Sequence, residues 1–215
     1  MGRMSYVSEG SGSSWKCYTT GIVHSDAPAT LTVYHDDNAS GGGNHGPQVF
    51  GGTFTGAASL VKTGANGDLS MSTNHLILAG MSTSTGSVAV TWGLLSFTNA
   101  FTVGTTTYLG SWTNCTSATA SDKGVLELCH STALGRNTDV YVGTGGKVRL
   151  SSGVRQRVRY LYLPTGENGA YERQPLGTYG SSSANGASHK LDAYFEGAGV
   201  LNCVGLYDGA IIVIR

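Results

Sequence analysis

Charge is what this 215-residue chain most lacks. Charged residues make up 12% of it, and thirteen Lys and Arg balance thirteen Asp and Glu. The usual charged share is about 25%. With only five Glu and five Lys, the residues that build solvent-exposed helices are missing, which excludes a coiled coil or a helical bundle. A neutral balance also argues against nucleic acid as a partner, because that affinity comes from Lys and Arg displacing counterions. No apolar run reaches the roughly 18 residues of a membrane-crossing helix, so no membrane insertion is expected. The four prolines are scattered and form no linker.

Cysteine is equally sparse. Cys17, Cys115, Cys129 and Cys203 contain no C-x-x-C, so a zinc knuckle or a redox dithiol is not expected. Four free, mostly buried thiols are the favoured reading, although three pairings stay open if all four are bridged. No metal site and no cofactor is read from the sequence. Residues 1–4 (Met1-Gly2-Arg3-Met4) read as an appended start. The abrupt end at Ile211 to Arg215 suits a single domain, residues 5–215, cut from a longer precursor.

What is abundant is small and polar: 33 Gly, 24 Ser and 24 Thr. Apolar residues still reach 40%, so disorder is excluded. Strand-like runs recur between turn residues. They include Ala29 to His35, Gln48 to Phe54, Ala57 to Lys62, His75 to Ala79, Ser87 to Trp92, Leu94 to Thr98, Phe101 to Leu109, Val125 to Cys129 and Lys147 to Leu150. Val154 to Leu163 alternates most clearly. Val200 to Tyr207 and Ala210 to Ile214 flank Asp208-Gly209, a strong hairpin signal. Only Leu126 to Leu134 suits a short helix. Short strands punctuated at this spacing predict an all-β fold, a single compact β-barrel or sandwich domain with long polar loops near 36–47 and 164–189. No fixed internal repeat is present, which argues against a propeller or a solenoid.

The catalytic motifs fail on context. Gly41-Gly42-Gly43-Asn44-His45-Gly46 matches G-x-G-x-x-G but lacks the following helix that would aim amides at phosphate. Asp36-x-Asn38-x-Ser40-Gly41 imitates half a calcium loop, with Pro47 where a bidentate Glu belongs. His24-Ser25-Asp26 holds the residue types of a serine triad, but neighbours on a strand point to opposite faces. Asp192 and Glu196 would lie about 13 Å apart on a strand, too far for a glycosidase pair. The chain is therefore read as non-catalytic.

Two features suit binding. Arg155, Arg157 and Arg159 alternate along one strand and make a cationic stripe that fits a sulfated or sialylated glycan; Lys147 and Arg149 share its parity. Eleven Tyr stand against five Phe, and Tyr171 and Tyr179 lie in a Gly- and Ser-rich loop of the kind that suits recognition. The candidate binding residues are thus Arg155, Arg157, Arg159, Tyr171 and Tyr179. The plain alternatives are a solvated outer strand and the general preference of sheets for Tyr.

In texture, from Ser5 to Arg215, the chain resembles the capsid spike (projection) domains of astroviruses, the avian branch in particular. That resemblance implies a β-barrel-like core and a homodimer on the virion surface. It also implies attachment to a host-cell receptor, protein or glycan, with exposure to antibodies. A phage tail-fibre tip and a lectin-like carbohydrate-binding module have a similar texture, and a hydrolase is the rival from a different class.

Overall fold

The computed structural model describes residues 5–9, 15–36, 45–65, 75–99, 101–102, 106–109, 124–165 and 170–205. Among these there is no helix. The path begins with the antiparallel pair β1 (Ser5–Glu9) and β2 (Trp15–Thr20), then passes through Gly21 into β3 (Ile22–Asp36). From there it repeats one movement. β4 (His45–Phe50) lies beside β2, and β5 (Thr53–Ala65) lies beside β3. The next layer is β6 (His75–Leu78), a short β7 (Ser82–Thr83) and β8 (Val88–Val90). After it come β9 (Gly93–Phe97), β10 (Phe101–Thr102) and β11 (Thr106–Leu109), then β12 (Gly124–Leu128) and β13 (Asp139–Val142). A further layer holds β14 (Lys147–Leu150), β15 (Arg155–Val158) and β16 (Tyr160–Pro164).

One sheet therefore runs β2-β4-β6-β9-β12-β14 and the other β3-β5-β8-β11-β13-β16, with every one of these pairings parallel. The last described stretch closes the stack. β17 (Tyr171–Arg173) folds back antiparallel on β16. β18 (Gly177–Gly180) and β19 (His189–Lys190) join a four-stranded sheet with β15. β20 (Phe195–Glu196) extends the β2 sheet past β14, and β21 (Val200–Cys203) pairs with β15.

The expected barrel or sandwich is not what forms. Each strand of the two long sheets pairs with the strand one coil away, not with its sequence neighbour, which makes a β-solenoid. Parallel strands need a crossover of a dozen or more residues, usually a helix; here the strand of the opposite sheet is the crossover. The exclusion of a solenoid fails for a definite reason: the coils differ in length. In-register partners are Gln48 and Leu76, then Leu76 and Leu95, Leu95 and Leu126, Leu126 and Val148. The step is 28 residues, then 19, 31 and 22, so no period survives in the sequence. The helix expected at Leu126 to Leu134 is also absent: β12 fills its first part and a turn closed by Ala133 N–H on His130 O its second. The expected loop at 164–189 contains β17, β18 and the start of β19. The Asp208-Gly209 hairpin lies outside the described residues.

The core is a set of in-register rows. Leu76, Leu95, Leu126, Val148 and Phe195 stack along the β2 sheet, and beside them Phe50, Leu78, Phe97, Leu128 and Leu150. Leu60, Val88, Val140 and Leu161 face them from the other sheet, and all of these side chains are buried. Burying each of the larger ones contributes about 1.5–3 kcal/mol. Lys62 is a charged residue on the inner rows. It aligns with Val90, is 1% exposed, and its Nζ donates to Thr63 O at 3.1 Å.

The coil corners show what part of the glycine content is for. A Cβ on Gly52 would stand 2.0 Å from Gly21 O, and one on Gly80 would stand 1.7 Å from Gly52 O. Successive corners rest on each other's backbone, and only a residue without a side chain fits there.

Candidate functional site

Among the described side chains, four tyrosines come together on the β3 sheet, facing away from the buried rows. Tyr141 of β13 pairs with Tyr162 of β16, and their rings stack at 4.3 Å and 4°. That separation is close to the strand spacing of about 4.8 Å, as expected when identical side chains occupy one position in adjacent parallel strands. Tyr160 shares a face with Tyr162 by strand alternation and meets it edge-on at 6.4 Å. Tyr171 arrives on β17, opposite Pro164, and meets Tyr141 edge-on at 5.4 Å. All four are half-buried.

Cations rim this platform. The Arg173 guanidinium lies 4.9 Å from the Tyr160 ring centre, and that of Arg159 lies 5.8 Å away. Arg159 is held there by Asp139, the residue aligned with Tyr160 one coil earlier. Its Nε donates to Asp139 Oδ1 at 2.7 Å, and a terminal nitrogen donates to Oδ2. The hydrogen bonds to Asp139 hold the Arg159 guanidinium above its ordinary pKa. The result is an aromatic surface bordered by guanidinium groups. Tyr supplies large contact area at low entropic cost, with a polar tip that both donates and accepts.

The sequence-derived candidates divide. Arg155 and Arg157 project from β15 and are exposed; among the described residues their guanidinium groups have no partner. Arg159 leaves the stripe. The strand breaks there, β15 belongs to the four-stranded sheet and β16 to the β3 sheet, and Asp139 occupies the guanidinium. Lys147 and Arg149 lie elsewhere, on β14, paired with Glu196 at 3.0 and 2.8 Å. Tyr171 belongs to the platform. Tyr179 does not face a ligand. It is 1% exposed, its hydroxyl donates to Pro175 O at 2.6 Å, and its ring stacks on His189 at 4.7 Å. Burial pushes its phenol pKa up.

The acid–base combinations also resolve. His24 contacts Asp26 at 2.8 Å and Thr55 Oγ1 at 2.8 Å, while Ser25 turns away to donate to Ala27 O. The Asp26 side chain is 97% exposed, so this contact sits in water, where it is worth little. A second chain of polar groups runs across the β2 sheet. His75 Nε2 lies 2.7 Å from Ser96 Oγ, which donates to Glu127, and Glu127 lies 3.8 Å from Arg149. Here the buried serine lies between the imidazole and the carboxylate, whereas in a triad the imidazole lies between the other two. Asp192 and Glu196 each have their own partners: Ser182 N–H for the first, Arg149 and Lys147 for the second.

Sequence reasoning misses Tyr141, Tyr160, Tyr162, Arg173 and Asp139 as members of one site. The alternation of Tyr160 and Tyr162 is legible, but their link to Tyr141 runs through a coil of unmarked length. No family model, curated protein or solved structure matches the chain.

Proposed function

We propose that this chain is a non-catalytic attachment module of a surface projection on a virion, exposed there to antibodies, and that it binds host saccharide on the tyrosine platform. The observation that carries the reading is the in-register cluster of Tyr141, Tyr160, Tyr162 and Tyr171 rimmed by Arg159 and Arg173. A sugar ring offers a flat C–H face and a girdle of hydroxyls. The platform offers aromatic faces for the first and phenol and guanidinium groups for the second. The capsid-spike resemblance carried a barrel-like core with it, and the coils differ from that expectation, so the attachment reading rests on the platform. Repeated display on a particle would turn weak single-site binding into firm attachment through effective concentration.

The test is a glycan array probed with the chain displayed in many copies, alongside Tyr162→Ala. Loss of the stacked partner should reduce the strongest signals at least about fivefold, an aromatic stacking loss of roughly 1–3 kcal/mol. An array without signal, or a variant that binds like the parent, would overturn the reading.

A further inference from the structure

A groove of about 230 Å³ lies between the turn that precedes β15 and the loop that follows β18. Ser152, Gly153, Val154 and Arg155 form one wall; Ser183, Asn185 and Gly186 form the other. Both walls are built by turns. Val154 N–H donates to Ser151 O at 3.0 Å with Gly153 at φ +80°. Ala184 N–H donates to Ser181 O and Ala187 N–H to Ala184 O. Asp192 holds the Ser182 amide at 2.7 Å, and Ser181 Oγ ties the loop to Gly197 O at 2.6 Å.

Arg155 crosses this groove. A Cβ on Gly186 would be 3.5 Å from the nearer guanidinium nitrogen of Arg155 and 3.8 Å from the other, so the glycine backbone forms a floor beneath the cation. The Arg155 guanidinium has no acidic partner among the described residues, and neither do the side chains of Ser152, Ser183 and Asn185 have a hydrogen-bond partner there. Arg155, Ser152, Ser183 and Asn185 thus line one cleft. Arg157 stands two residues further along the same face of β15.

We infer that this groove is the subsite for an acidic group of the glycan, a carboxylate or a sulfate on a sugar ring, received by Arg155. The inference rests on the attachment reading and names the class of its ligand. A guanidinium forks to either oxyanion with two parallel hydrogen bonds, and the hydroxyls and amide donate to remaining oxygens. Five residues separate Arg155 from Tyr160, so their backbones are at most about 18 Å apart. An oligosaccharide of a few rings spans that distance, with an acidic ring in the groove and another ring on the platform.

The experiment compares neutral, carboxylated and sulfated glycans of matched backbone on one array, then measures the best of each class in solution at two salt concentrations. The proteins are the parent chain, Arg155→Ala, Arg155→Lys and Tyr162→Ala. Acidic glycans should exceed their neutral counterparts by about tenfold at low salt, less at high salt. Arg155→Ala should erase that preference while leaving neutral binding intact, and Arg155→Lys should retain part of it. Tyr162→Ala should weaken both classes. Equal binding of neutral and acidic glycans by the parent, or an unchanged preference in Arg155→Ala, would overturn the subsite and leave the attachment reading standing. No glycan binding of any class would overturn both. Whether carboxylate or sulfate is preferred follows from the two acidic arms.

Discussion

Replacing Gly80 by alanine should separate two coils of the solenoid, and the cost can be worked from the corner geometry. The new Cβ would fall 1.7 Å from Gly52 O, 2.6 Å from Gly52 C and 2.9 Å from Gly51 O. Real Cβ atoms are not found closer than 3.0 Å to such neighbours, so the backbone of one corner must retreat from the other. Two bonds fasten that corner to its neighbours, Ala79 N–H to Phe50 O and Thr53 N–H to Gly21 O, each 2.9 Å. Overpacking costs about 1–3 kcal/mol, and loss of one backbone bond adds about 1 kcal/mol. The smaller entropy of the unfolded alanine chain returns about 0.4–1 kcal/mol. The net loss is about 1–3.6 kcal/mol, which lowers a urea midpoint by about 0.4–1.4 M for a slope of about 2.5 kcal/mol/M. Gly51, in the same chain segment, is the control. Its Cβ would touch only Thr20 Cγ2 at 3.6 Å and Thr19 O at 4.0 Å, so Gly51→Ala should match the parent or exceed it by up to about 1 kcal/mol. Equal urea midpoints for the two variants would refute the stacked corners, and with them the coil-on-coil arrangement.

Three further outcomes are expected. Burial holds the His75 imidazole below its ordinary 6.5, against the pull of Glu127, and the Glu196 carboxyl is also held low, because bonds from Arg149 and Lys147 outweigh its burial. Both groups favour the fold when deprotonated, so stability measured by denaturant should fall as pH drops below about 6.5 and fall further below the usual carboxylate range near 4.3; a rise from pH 7 to 5.5 would contradict this, and His75→Gln should remove the upper step. Burial pushes the Cys203 thiol up to about 12, so peptide mapping after iodoacetamide should find it unmodified in the folded chain and labelled once the chain is unfolded. Arg159→Ala leaves the largely buried Asp139 carboxylate without its counter-charge and should cost about 1–3 kcal/mol in urea unfolding, of which Asp139→Asn in the same chain should restore part.

Local strand formation was legible because it depends on alternation and turn residues, and those act over a few neighbouring positions. Lys147–Leu150 falls where the alternating run predicted it, and Leu94 to Thr98 overlaps β9. Strand pairing was not legible. An antiparallel sandwich and a parallel solenoid both bury every second residue of short strands, and they differ only in which strands are neighbours. In a solenoid that choice is set by coil length, and the steps from Leu76 to Leu95 and from Leu95 to Leu126 differ by 12 residues. The glycines held a signal that composition alone could not decode. Gly21 and Gly52 sit where one long sheet hands the chain to the other, and Gly80 where the chain leaves β6 for β7, which becomes visible only once the coils are aligned.

The same physics decides how the candidate site could be read. A stripe of alternating arginines is a local pattern, and it survives only as far as the strand does. The break at Arg159 moves β15 and β16 into different sheets, and the third guanidinium turns to Asp139, twenty residues earlier in sequence and one coil away in space. The tyrosine platform is the converse case. Its members come from β13, β16 and β17, and no window of sequence short enough to show a periodicity contains them all. Tyr179 looked like its neighbours in the Gly- and Ser-rich loop, yet its hydroxyl is satisfied by Pro175 O and its ring fills the core against Phe195. What separates a surface tyrosine from a buried one here is the face it occupies: Tyr141 and Tyr162 stack coil on coil on the outside of the β3 sheet, whereas Tyr179 joins the core cluster, and neither placement is a property of the loop that carries the residue.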